Sequence, residues 1–340
     1  MKNAMIHRKW AAATAAVVAV SFLAACTPDL PTVNVDDEVA QAPGPVLHED
    51  QSLQVSGEIG QVLAEADKAM DPAALESRIT GPALAIRKAE YQIAKFQKKP
   101  ETMTELPTKL QSVFMTTTET WPRTFFAVTE RPESLEAERF VVMNQEDARA
   151  DYKLWAWFTL FPGVTVPVFP AADSGTPDLS AVDESLILSP KDALEQYADV
   201  LKTGDKSKFK DVFHTEGDSF IKEIADRRKT LEDAAKVAKG TYTETFAVGE
   251  DIKTLRTLDG GAVIVGTITT SGTLKGEKGA IITPSEIEKA FLPKDAKPNN
   301  ALTVQRTAIV GIYVPAKGED AKPAAIGRTI RTTGAEIPKE

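Results

Sequence analysis

Apolar positions along this chain pass from helical to alternating spacing, and the same passage occurs again in the second half. From about Glu58, Ile59, Val62, Leu63, Ala66 and Met70 recur at helical spacing. Asp71-Pro72 sets an N-cap before a proline at the first helical position and predicts a short helix to about Ile79. Thr80-Gly81-Pro82 restarts the chain, and Ile86, Ala89, Ile93 and Phe96 describe a third helix. Beyond Pro107 the period falls to two. Residues 110–117, 123–129, 137–143 and 151–161 carry alternating, β-branched or aromatic residues and predict four strands. Residues 164–169 add a short one, with Pro167 marking an edge.

Pro170, Asp173, Ser174, Gly175, Pro177 and Asp178 then give 171–185 the composition of a linker. After it, Ser189 is a good N-cap, Pro190 takes the first helical position and Asp192 lies three residues past the cap. Leu194, Tyr197, Ala198 and Leu201 form the apolar stripe of that helix, and Gly204 stops it. A short helix is predicted over 206–213, and a longer one through Phe220, Ile224, Leu231 and Ala235. Strands follow over 241–248, 252–258, 262–274, 302–314 and 325–333, with Leu258-Asp259-Gly260-Gly261 as a hairpin turn. An insertion, 275–300, contains Thr283-Pro284-Ser285-Glu286, the start of a capped short helix. Helices followed by an antiparallel meander, twice over, predict an α+β protein of two domains, 51–170 and 186–335, each with helices packed on a curved sheet. Ala66-Asp67 and Ala198-Asp199 fall at equivalent places, as a duplication would leave them.

The N-terminus is patterned differently. Lys2, Arg8 and Lys9 precede an apolar run from Trp10 to Leu23, which ends in Leu23-Ala24-Ala25-Cys26. A cationic start, a short apolar core and small residues at a cleavage site make 1–25 a secretory signal. The core is shorter than the ~20 residues needed to span a bilayer. Cys26 is the only cysteine of the chain and would become the new N-terminus. Its thiolate can take a diacylglycerol, whose two chains each bury CH₂ groups at about 0.8 kcal/mol apiece. Residues 26–50 read as an acidic, proline-rich tether, with Pro28, Pro31, Pro43 and Pro45 breaking regular structure and Asp36, Asp37 and Glu38 keeping it solvated. The expected location is extracytoplasmic, lipid-anchored to the cell membrane.

Charge narrows the partners. The net charge is −9, and loss of 1–25 would remove three basic residues and no acidic one. An acidic chain without basic clusters is a poor ligand for nucleic acid. With Cys26 modified, no thiol is left for a disulfide, so the folded part depends on core packing.

Candidate chemistry is sparse. His48 lies in the tether, and His214 follows Phe213 near Glu216 and Asp218, without a nucleophile motif beside it. Neither metal-ligand spacing nor a phosphate-binding glycine loop is present, so no metal or cofactor is implied. The densest feature is aromatic: Trp121, Phe125, Phe126, Phe140, Tyr152, Trp155, Trp157, Phe158 and Phe161. Trp155 and Trp157 sit two apart and should share a strand face. The group reads either as core between sheet and helices or as an apolar pocket, in which Trp121, Trp155 and Trp157 would bind a ligand or partner.

The element order of both halves resembles the NTF2-like (cystatin-like) superfamily, whose cone-shaped members often hold a ligand. Leu23-Ala24-Ala25-Cys26 looks like the lipobox of bacterial lipoproteins. With the acidic tether and Pro162-Gly163-Val164-Thr165-Val166-Pro167, the chain is similar to uncharacterised envelope lipoproteins of actinobacteria. That resemblance implies location and architecture and supplies no catalytic residue. The expected function is a non-catalytic, lipid-anchored envelope protein that binds a partner protein or an apolar ligand. The alternative is an enzyme acting on lipid or cell-wall material through carboxylates in an NTF2-like pocket.

Overall fold

The computed structural model describes residues 43–339. The predicted signal peptide, Cys26 and the tether as far as residue 42 lie outside the described residues.

Three helices lead: α1 (Glu49–Ala69), α2 (Pro72–Leu75) and α3 (Gly81–Gln97). Helix α1 starts well before Glu58, so the end of the expected tether is folded. Val46 is buried and its N–H bonds the Thr116 carbonyl at 3.0 Å. The early turns of α1 escaped the apolar pattern because their buried positions are serines. Ser52 Oγ donates to the Glu49 carbonyl at 2.6 Å, and Ser56 Oγ to the Thr108 carbonyl at 2.7 Å. Such bonds satisfy a buried hydroxyl and let a polar residue occupy a core-facing position. The predicted cap of α2 is present, with Asp71 accepting from the Ala73 N–H at 3.0 Å.

Strands β1 (Leu110–Thr117), β2 (Arg123–Thr129), β3 (Arg139–Gln145) and β4 (Lys153–Leu160) form the first meander. The second half adds β5 (Thr176–Pro177), α4 (Pro190–Thr203), α5 (Ser219–Val237), β6 (Thr241–Val248) and β7 (Lys253–Arg256). It ends with β8 (Ala262–Lys275), α6 (Glu286–Lys289), β9 (Ala301–Val314) and β10 (Ala324–Glu336). The helix expected over 206–213 is instead a 3-10 turn, Gly204–Lys206, followed by irregular turns. Ser207 is the reason. Its hydroxyl donates to Asp199 at 2.6 Å and accepts from the Phe209 N–H at 3.0 Å, which holds the chain in a turn.

The protein is α+β, and its strands form one sheet rather than two. The order is β5-β1-β2-β3-β4-β10-β9-β8-β6, with β7 also on β8. Every pair is antiparallel except β1–β5. The two meanders meet through their last strands, pairing Gly327 with Leu160 and Arg328 with Thr159. Joining them removes two strand edges that separate domains would have exposed. Glycine makes the join possible: a Cβ on Gly311 or Gly327 would run into the Phe158 ring, and on Gly327 also into the Thr159 carbonyl.

The sheet is strongly curved and unclosed. Its β5 edge comes within 8 Å of β7, Cα to Cα. The predicted linker crosses this gap as a strap bonded on both sides. Thr176 pairs with Thr116 of β1, while the Thr254 hydroxyl accepts from the Leu179 N–H at 2.6 Å and donates to its carbonyl at 3.0 Å. Aromatic rings pack together in the first core: Phe140 stacks on Phe158 at 5.0 Å between centroids, and tilted contacts join Phe114 to Phe169 at 4.3 Å and Phe126 to Phe140 at 6.0 Å. A second core of Leu194, Tyr197, Phe213, Phe220, Ile264 and Ile312 lies between α4, α5 and the other half of the sheet. No helix among the described residues is long and apolar enough to cross a membrane.

Candidate functional site

Where the halves meet, α3 and β10 are tied by a buried charge network. Arg87 and Glu90 occupy the inner face of α3, and their side chains are 3% and 2% exposed. Arg87 donates through Nε and Nη2 to the two oxygens of Asp67 at 2.9 and 2.5 Å, and through Nη1 to Glu90 at 2.8 Å and the Thr104 carbonyl at 2.7 Å. Glu90 Oε1 also accepts from Arg331 Nε of β10 at 3.0 Å and from the Thr104 hydroxyl at 2.5 Å. Arg331 Nη2 donates to Thr104 Oγ1 at 2.7 Å. Burial works against charge on Arg87, yet the bonds and charges of Asp67 and Glu90 outweigh it and raise its pKa. Burial, and a hydrogen bond given to Asp67 at 2.5 Å, raise the Tyr91 phenol as well.

Beside this network opens a cleft of about 450 Å³ between α3, α5, α6, β9 and β10. Its charged lining is Glu90, Glu223, Arg227, Arg306 and Arg331, and its apolar lining Ile93, Ile287 and Ile330. A second cavity, of about 560 Å³, shares Thr102 and Arg331 with it and is lined by Arg139 and Arg328. Most of these arginines are neutralised. Arg139, with a fully buried side chain, pairs with Glu136, and Arg328 pairs with Glu223. Arg227 and Arg228 share Glu244 at 3.2 and 3.4 Å. Arg306 differs: its side chain makes no hydrogen bond or ion pair with another described residue. Burial and the neighbouring Arg227 hold its pKa below the ordinary guanidinium value.

The aromatic candidates fall elsewhere and do not converge. Trp157 is fully buried in the first core, and its indole N–H has no partner. A bulge separates it from Trp155: Ala156 pairs with Val142 and Leu154 with Met143, so Trp155 is the extra residue, and both indoles belong to the first core. Trp155 packs against Gly81 at the start of α3, with the Lys253 ammonium 5.4 Å from its ring. Trp121 is 38% exposed in the β1–β2 turn, under the Arg123 guanidinium at 4.2 Å and donating to Gln145 at 3.1 Å. None of the three lines the cavities described above. The Tyr152 hydroxyl is buried without a partner, and burial pushes its pKa up to about 12.

His48 and His214 are exposed. Among the described residues Asp218 is the one carboxylate whose pKa is raised, through burial, but it serves as the N-cap of α5. It accepts from Phe220 and Ile221 N–H groups at 2.9 and 3.2 Å and from the Tyr197 hydroxyl at 2.8 Å. Arg306 and the Arg87–Glu90 pair carried no motif. Their only signal was misplacement: a lone arginine within a buried strand, and two charges on the apolar face of α3.

A family model described as a domain of unknown function, DUF8094, matches residues 45–336. The match begins at Pro45, whose bridge to Thr117 opens the fold, and ends with the last residue of β10. No curated protein and no solved structure matches the chain.

Proposed function

We propose that this chain, which belongs to the DUF8094 family, is a non-catalytic binding protein of the cell envelope, held to the outer face of the membrane by a diacylglycerol on Cys26. The observation that carries the binding role is the cleft of about 450 Å³ beside Arg306, whose lining brings together three arginines and three isoleucines. A concave, partly apolar site with a few convergent polar groups is the usual form of a ligand pocket. Helices followed by a meander in each half support reading the two halves as NTF2-like units fused along β4 and β10. The anchor rests on Leu23-Ala24-Ala25-Cys26 and its charged, apolar lead. Family match and fold both begin near residue 45, which leaves the proline-rich acidic stretch as a spacer between anchor and cleft.

The test is photo-crosslinking in cells, with the reactive residue placed at Thr332 in the cleft or at exposed Leu135 as the control position. A species captured only from Thr332, and lost when Cys26→Ser releases the anchor, is the expected result. Equal capture from both positions would remove the cleft as the site. Unchanged capture with Cys26→Ser would remove the anchor from the role.

A further inference from the structure

The face of the sheet beneath α5 and α6 carries polar groups that nothing in the fold answers. Register lines up Tyr242, Leu274 and Leu302 across β6, β8 and β9, and likewise Phe246, Thr270 and Arg306. Three buried polar atoms of this region lack a partner: Tyr242 Oη, Thr270 Oγ1 and Arg227 Nε. Arg306, unpaired, stands among them. The nearby carboxylates are already engaged. Arg227 and Arg228 hold Glu244, Arg87 and Arg331 hold Glu90, and Arg328 holds Glu223. Glu288 accepts from the Ser285 N–H at 2.7 Å as the capping box of α6. Arg306 is half-buried, and Glu288 and Glu244 lie near enough to favour its charge without bonding it. A guanidinium whose donors are free, beside other unanswered donors, is complementary to an anion.

Arg306 also lines a second, smaller chamber of about 190 Å³, whose apolar lining is Leu231, Leu274, Ile282, Leu302 and Val304 and whose polar lining is Tyr242, Thr283, Ser285 and Glu288. At about 30 Å³ per water-sized group, that is room for roughly six such groups, the volume of a short aliphatic chain. One guanidinium thus borders both a cleft with three arginines and a chamber with five aliphatic side chains.

We propose that this pair of cavities binds a single-chain aliphatic acid, its anionic head taken by Arg306 and Arg227 and its chain lying in the chamber beneath residues 282–288. The guanidinium fork suits a carboxylate or a phosphate equally, so the shared chemistry is a compact acid on an alkyl tail. The inference rests on the binding role proposed above and names the ligand class of that site.

The probe is [1-¹³C]octanoate, titrated by carbon NMR into the full chain as the cell processes it, in the presence of phosphatidylcholine vesicles. Octyl phosphate, octanol and acetate are titrated alongside. Saturable octanoate binding is expected, at least tenfold weaker in Arg306→Gln and in Val304→Trp, whose indole fills the chamber, and largely retained in Arg306→Lys. Octanol and acetate should each bind at least tenfold more weakly than octanoate. Tighter binding of octyl phosphate than of octanoate would identify the head as a phosphate. Equal binding of octanol, or affinity unchanged in Arg306→Gln, would overturn the proposal. Acetate binding as tightly as octanoate would leave a bare anion site and overturn the chain's place in the chamber. If octanoate fails while Thr332 still captures its species in cells, the ligand class is wrong and the binding role stands. A second readout needs no ligand: because burial and Arg227 oppose the charge of Arg306 and no side chain bonds it, Arg306→Met should raise the melting temperature of the free protein, and a fall would show that the arginine is structural.

Discussion

Glu90→Gln is the substitution that most directly tests the seam. It keeps the volume of the side chain and removes its charge. In the native arrangement Glu90 accepts from Arg87, Thr104 and Arg331 at once, with its side chain 2% exposed. A glutamine amide would turn its NH₂ toward a donor, either Arg87 Nη1 or Arg331 Nε. Breaking a buried ion pair by removing one partner costs about 3–5 kcal/mol. The lower end applies, because Arg87 keeps both oxygens of Asp67 and Arg331 is 34% exposed and open to water. About 3 kcal/mol corresponds to a fall in melting temperature of roughly 6–12 °C, at ~2–4 °C per kcal/mol for domains of 150–250 residues.

The assay is thermal unfolding followed by circular dichroism and calorimetry, with Arg331→Gln and the double variant completing a cycle. Arg331 comes from β10 and Glu90 from α3, so their coupling measures the bond between the halves. A coupling energy of about 1–3 kcal/mol is expected for residues in one network. Because the sheet is continuous and the halves share this pair, a single cooperative transition is also expected. A fall smaller than about 2 °C, or additive single effects, would refute the reasoning. Two separate transitions in the unchanged protein would show that the halves fold independently despite their common sheet.

Gly311→Val places a branched side chain against the Phe158 ring and should destabilise the protein through overpacking, by about 1–3 kcal/mol or more in denaturant melts; an unchanged midpoint would mean that the β4–β10 join relaxes easily. Trp157→Phe removes an indole N–H that has no partner, so its cost should fall clearly below the ~3–5 kcal/mol of a Trp→Ala truncation, whereas Trp121→Ala, at an exposed turn, should stay within about 0.5–1 kcal/mol of the unchanged protein. Asp259 is partly buried, which opposes its charge, but bonds from Thr257, Tyr313 and the Gly261 N–H outweigh this and hold its pKa below the usual carboxylate value. Ionised Asp259 therefore adds stability above the unfolded pKa of about 3.9, and that stability is lost as pH falls through the lower, folded value. Urea midpoints of the unchanged protein and Asp259→Asn should differ most from pH 5 to 7 and converge in acid; a gap that widened as pH fell would contradict the assignment.

Features set within a few residues were legible in the sequence. Asp71, Ser189 and Ser285 cap the helices they were expected to cap, since a short polar side chain bonding its own backbone two or three residues on depends on little else. The hairpin at Leu258-Asp259-Gly260-Gly261 joins β7 to β8 for the same reason, with Gly260 at a φ of 83°. Features set by distant contacts were not legible. The start of α1 depends on Thr108 receiving Ser56, and the strapped linker on Thr254 receiving Leu179. The β4–β10 join depends on two glycines admitting Phe158 from the other half, and nothing in the local period of either strand announces it.

The aromatic run drew attention by density, yet density is what a core requires. Phe114, Phe126, Phe140 and Phe158 stand at paired registers and stack because strand alternation puts them there, and every local rule agrees with their burial. The residues of the cleft are instead places where local rules conflict. A charged side chain has no local reason to sit between Val304 and Ala308 in a buried strand, or on the inner face of α3. Such conflicts have two resolutions. Arg87, Glu90 and Arg331 answer one another, so their burial is explained by the fold that they fasten. Arg306 has Glu288 and Glu244 nearby but no bonded partner for its side chain, and its neighbours Tyr242, Thr270 and Arg227 each leave a polar atom unused. An arginine whose donors the fold leaves unbonded is free to bind an anion, and the search for a site in this sequence therefore begins there.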